Sequence, residues 1–197
     1  MIRALSMVGL GLALASCVSL GSKPPAALLT LSSSARVAPN DIRTASAGEA
    51  ITIHVPVVPQ ALASNRILVT SGATAIAYVK DAVWVEPPAR LFQRVLAETV
   101  AAKTGRVVLD VRQLALDQGA QVTGTLSAFG VDPGAGSSGE AVVTYDAAMT
   151  SDHGRTVQTR RFEARVPVGQ IKPAAVSRAL NTAANRVAED VASWIAG

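Results

Sequence analysis

The sequence predicts an α+β fold: a largely antiparallel sheet layered against two amphipathic helices in a two-layer sandwich. Three observations predict it. Apolar and polar residues alternate with period two in Ile51–Val57, Gln121–Ala128, Glu140–Thr150 and Arg155–Val166. Helical spacing replaces that alternation twice, after Pro87-Pro88 and after Pro173. The last three alternating stretches follow one another with only turns between them, which is the order of an antiparallel meander.

Taken in order, the chain opens with Arg3 and an uncharged run from Met7 to Ala15, the layout of a secretory signal peptide. The run ends in Leu14-Ala15-Ser16-Cys17, which resembles the lipobox of bacterial lipoproteins. That resemblance implies a diacylglyceryl group on the Cys17 sulfur, cleavage before Cys17 and acylation of the new amino group by a chain such as palmitate. The competing reading, an uncleaved signal-anchor helix, needs about 20 apolar residues to span a bilayer, and this run is shorter. Residues 1–16 are therefore expected to be a signal peptide. Residues 17–49, rich in Ser, Ala, Pro and Gly, are expected to be the lipidated N-terminus and a flexible tether. Within them Leu28-Leu29-Thr30-Leu31 is an apolar island able to pair as an edge strand. The folded domain is expected over 50–197.

Ile51, Ile53, Val55 and Val57 share one face of the expected first strand, and Pro56 marks an edge or the strand's end. Arg66–Thr70 and Ala75–Lys80 are short strands about a Ser71-Gly72 turn. Leu91, Phe92, Val95, Leu96, Thr99 and Val100 recur at helical spacing, so a helix runs from Pro88 to Thr104 with Gly105 as its C-terminal cap. Arg106–Asp110 is a short strand. In Gln121–Val131 the alternation breaks at Phe129 and Val131, which predicts a bulge or a sheet covered on both faces. Asp132–Gly139 and Ser151–Gly154 are hairpin loops. The closing helix starts at Pro173, with Val176, Leu180, Ala183, Val187, Val191 and Trp194 as its apolar stripe. Arg178, Asn181, Asn185, Glu189 and Asp190 are expected on its other side.

Composition excludes several classes. The formal net charge of +4 is spread along the chain with no Lys/Arg cluster, so no nucleic-acid face is expected. With its single cysteine acylated, the domain has no disulfide and no thiol chemistry. Gly134-Ala135-Gly136-Ser137-Ser138-Gly139 fits the G-x-G-x-x-G pattern, but a strand rather than a helix follows it, so it reads as a turn. His54 and His153 lie in a strand and on a hairpin tip, without the spacing of a metal site. Asp152-His153 lacks a nucleophile elbow. Carboxylates are scattered rather than paired. No catalytic residue, metal site or cofactor is assigned. Trp84, before Glu86 and the helix start, reads as a core aromatic.

Together these motifs resemble the ABC-type transport auxiliary lipoproteins, which accompany lipid transporters of the MCE type. The resemblance rests on Cys17, Pro24-Pro25, Val55-Pro56-Val57-Val58-Pro59 with Leu62, and Arg66-Ile67-Leu68-Val69. Trp84-Val85-Glu86-Pro87, Leu126–Phe129, Phe162 and Val191-Ala192-Ser193-Trp194 continue it in order. Leu29-Thr30-Leu31 lacks the aromatic usual in the family's first strand, and Pro88 replaces a common Leu. The resemblance implies a non-enzymatic partner of an MCE-domain protein and its ABC permease and ATPase, held to a membrane by acylated Cys17 and facing the periplasm. Val18 rather than Asp follows the cysteine, which points to the outer membrane over the inner one. The alternative is an envelope scaffold or secretion-assembly lipoprotein.

Overall fold

The computed structural model describes residues 28–46, 48–71, 74–110, 119–151 and 154–197. Its strands are β1 (Leu28–Leu29), β2 (Ile51–Ile53), β3 (Arg66–Ser71), β4 (Ala75–Trp84), β5 (Val108–Leu109), β6 (Ala120–Pro133), β7 (Gly139–Ser151) and β8 (Thr156–Val168). Two helices, α1 (Pro88–Thr104) and α2 (Pro173–Ala196), complete the expected α+β architecture.

The long ladders are antiparallel: β6 pairs with β7, β7 with β8, and β3 with β4. One edge of β6 is shared. Its first half takes β2 in parallel and its second half takes β3 in parallel, with β4 and then β1 outside β3. The bulge lies where the alternation predicts it. Leu126 sits opposite Tyr145 and Ala128 opposite Thr144, so Ser127 is the extra residue and Phe129 and Val131 return to the buried face.

Both helices cover one face of the sheet. Pro at the first turn starts each, and Gly105 ends α1 in the left-handed region at φ 72°, where a Cβ would be strained. Phe92 of α1 packs edge-on against Tyr145 of β7, with ring centroids 5.2 Å apart. Tyr145 faces Phe162 across the β7–β8 register, and Phe162 meets Trp194 of α2 at 5.6 Å. Trp84 is fully buried on Phe129. The Tyr145 ring crosses β6 at Gly124, where a Cβ would lie 2.7 Å from the ring, and its hydroxyl donates to the Thr123 carbonyl.

Two expectations change. The first strand ends at Ile53, and Val55 and Val57 are exposed rather than sharing the buried face of Ile51 and Ile53. The chain still follows β6, through His54 N–H to the Val122 carbonyl and Val57 N–H to that of Gly124. Pro56, which has no N–H, interrupts that ladder, and the α1 side chain of Gln93 caps β2 by donating to the Ile53 carbonyl. The second change is Asn185. It is buried, although its place in the helix period puts it opposite the apolar stripe.

Candidate functional surfaces

Asn185 is buried because an irregular strap, residues 31–43, crosses the helix pair. Asn185 Oδ1 accepts the Ser34 N–H at 2.7 Å, while its Nδ2 donates to the Ser32 carbonyl at 2.9 Å and to that of Asn181 at 2.8 Å. One turn away, Asn181 Oδ1 accepts the Ser32 N–H at 2.8 Å. Ser34 Oγ donates to Glu189, Ser33 Oγ lies 3.0 Å from the buried Thr99 hydroxyl, and Glu98 accepts the Val37 N–H. Arg43 closes the row by donating to the Ala101 carbonyl at the end of α1. The strap pairs with no strand among the described residues, and beyond its own turn, where the Asp41 N–H donates to the Ala38 carbonyl, polar side chains of α1 and α2 satisfy its backbone groups.

The sheet face turned away from the helices divides into two wings. On β6–β8 it is an ion lattice. Arg165 bonds Glu163, Asp132 and Glu140, and Arg161 bonds Asp146. Ser127 and Thr144 donate to Asp146 and Glu163. The bond from Arg161 holds the Asp146 carboxyl below the usual carboxylate range, and that from Arg165 does the same for Glu163. On the β1–β4–β3 wing the same face mixes aliphatic, tyrosine and basic side chains, as set out below.

Two open clefts flank α1. One, of about 400 Å³, lies between α1 and β5 and is lined by Gln93, Arg94, Glu98 and Asp110 together with Ala97, Ala101, Val108 and Leu109. The other, of about 340 Å³, lies between α1 and the strap beside Leu31, Ser33, Arg36, Arg94 and Glu98. Arg94 between them is ion-paired to Glu86.

His54 sits just past β2 with Nε2 3.0 Å from Gln121 Oε1. Among the described residues no three His, Cys, Asp or Glu side chains are grouped to hold a metal. His153 and Cys17 lie outside the described residues. The glycine-rich 134–139 stretch turns between β6 and β7, with Gly134 N–H bonded to the Ser138 carbonyl, so no helix N-terminus meets it. The strap was not legible as a contact: its serines read as loop composition, and its partners lie about 60 positions away on α1 and about 150 away on α2.

A search of curated proteins gives no match. Among solved structures the chain is similar to a protein from Xanthomonas campestris assigned to the family model DUF330, at 18% identity and a TM-score of 0.70. That alignment covers 86% of this chain and 94% of the other. An uncharacterized protein aligns at 11% identity and a TM-score of 0.64, covering 78% and 96%. Both likenesses are of fold. The family model described as the ABC-type transport auxiliary lipoprotein component matches residues 29–192, from β1 to the last turns of α2. The strap, the meander, α1 and most of α2 fall inside that match, and the chain belongs to the ABC-type transport auxiliary lipoprotein family.

Proposed function

We propose that this protein is a periplasmic, membrane-anchored auxiliary component of an MCE-type transporter that moves lipids or other hydrophobic molecules across the envelope. Membership of the auxiliary lipoprotein family carries this reading. Acylated Cys17, at the end of the lipobox-like Leu14-Ala15-Ser16-Cys17 stretch, supplies the anchor. Val18 after the cysteine favours the outer membrane. ATP hydrolysis belongs to other subunits, and this chain acts by binding.

Its contact with a protein partner is assigned to an exposed segment rather than to a cleft. Both clefts are open and of mixed lining, with Arg94 and Glu98 at each beside Ala97, Val108 and Leu109 in one and Leu31 and Val95 in the other, whereas a ligand pocket encloses most of its ligand. Val55 and Val57 stand exposed along the β6 edge within the proline-bracketed 55–59 segment, offering apolar contact to a protein surface.

The test is affinity purification of tagged full-length protein from detergent-solubilised envelopes, read by mass spectrometry. Recovery of an MCE-domain protein with its permease or ATPase is the expected outcome. Recovery of secretion or cell-wall proteins alone would replace this reading with the scaffold one. Cys17→Ser should shift the protein from the membrane to the soluble periplasmic fraction, and its retention in the membrane would refute the lipid anchor.

A further inference from the structure

We infer that the β1–β4–β3 wing of the sheet is the bilayer-facing side of the molecule, resting on the headgroup region of the membrane that holds Cys17. The inference rests on the lipid anchor proposed above and adds an orientation to it.

The strap sets the length of the leash. Because side chains of α1 and α2 clasp residues 32–37, and Leu28–Leu29 pairs with Val83–Trp84, the chain is fixed to the domain from Leu28 onward. Eleven peptide steps separate Cys17 from Leu28, a reach of at most about 40 Å at 3.3–3.6 Å each. A domain of about 170 residues has a radius near 20 Å, so a path to its far side is about 60 Å. The short leash cannot make that path. Were the chain free up to Ala50, its reach would be about 110–120 Å, and any side could meet the bilayer.

The surface where the leash emerges suits a headgroup layer. Pairing puts Leu28 beside Val83, and Val83 beside Arg66, on the face away from the helices. Tyr78 with Leu68, and Ile76 with Thr70, follow on that face. Leu28 is 62% exposed and Ile76 55%. The Arg66 guanidinium lies 3.9 Å from the Tyr78 ring centroid, and Lys80 is exposed nearby. Aliphatic, tyrosine and basic groups together match the interfacial zone of a membrane. Asp81 is the acidic residue within this wing, and Glu86 beside it is neutralised by Arg94. The β6–β8 wing presents four carboxylates to two arginines on the same face, a poor match for anionic headgroups.

Acylation of Cys17 leaves any introduced cysteine as the sole free thiol, which makes a direct test possible. Full-length lipidated protein carrying Ile76→Cys, Thr182→Cys or Val157→Cys is labelled with a fluorophore. Each is reconstituted into phosphatidylethanolamine–phosphatidylglycerol vesicles containing a headgroup nitroxide lipid. Thr182 lies on the exposed side of α2, and Val157 on the outer face of β8. Quenching at position 76 should exceed that at 182 and 157 by at least about threefold. Equal quenching at the three sites, or stronger quenching at 182 or 157, would overturn the orientation, including the case in which a protein partner or second copy covers this wing. Flotation with the vesicles is read first: protein that fails to float refutes the anchor itself, and the orientation with it.

Discussion

Asn185 is the residue on which the N-terminal part of the structure turns. Its carboxamide uses both ends on the strap, with one further bond to Asn181, and it is buried in doing so. Asn185→Ala removes these bonds and leaves the Ser34 N–H and Ser32 carbonyl without their partners, which costs about 1–3 kcal/mol. Urea unfolding should show that loss, and amide exchange at Ser32 and Ser34 should accelerate more than exchange in β6 and β7. A second residue-scale prediction concerns acid. The folded pKa values of Asp146 and Glu163 are depressed, so the stability these carboxylates contribute is full above their unfolded values near pH 4. It is lost as pH falls through the depressed folded values. Arg165→Met should cost about 1 kcal/mol at pH 7, a figure typical of partly exposed ion pairs, and less at pH 3. Urea midpoints measured from pH 3 to 7 check this, and a variant as costly at pH 3 as at pH 7 would contradict the assignment.

At the scale of elements, helix and sheet meet through the row Phe92, Tyr145, Phe162 and Trp194. Phe92→Ala opens a cavity where the α1 side chain meets Tyr145 of β7 and should cost about 3–5 kcal/mol in equilibrium unfolding. Gly124→Val is expected to be worse tolerated than a surface substitution, because the new Cβ would also lie 2.3 Å from the Asp146 carbonyl oxygen of the paired strand. Thermal denaturation of the two variants side by side checks both. The bulge at Ser127 shows how an element is read from its pattern. Alternation that changes phase at Phe129 is the one-residue insertion itself, seen in sequence. The Val55–Val57 segment shows the opposite. Its alternation fits a half-buried strand, yet the phase is inverted: Pro56 is buried, and Val55 and Val57 on either side of it face out.

For the molecule as a whole, the two faces of the sheet divide the work. One face holds the helices and the core. The other carries an ion lattice on β6–β8 and a wing of aliphatic, tyrosine and basic side chains on β1–β4–β3, next to the point where the chain leads back to Cys17. An auxiliary lipoprotein must hold a membrane and a protein partner at once. In the reading proposed above the wing and the short leash serve the first, and the exposed 55–59 segment on the β6 edge is the surface we assign to the second. Replacing Val55 and Val57 with Ser should lower recovery of the transporter partner several-fold while leaving the unfolding midpoint near its original value, since both side chains are exposed.

What the sequence by itself determined is what local chemistry sets: the period of each strand and helix, the prolines and glycine that start and stop α1, the bulge in β6, and a core tryptophan before the helix. The lipobox-like Cys17 and the ordered motifs pointed to the family that the match over 29–192 shows. The tertiary structure alone decided the parallel placement of β2 and β3 on one edge of β6, the burial of Asn185 and the division of the outer face. The physical reason is the same in each case. These features depend on partners far apart in the chain, such as Ser34 with Asn185 or Leu28 with Val83, and no local pattern encodes a main-chain hydrogen bond that a distant side chain will complete.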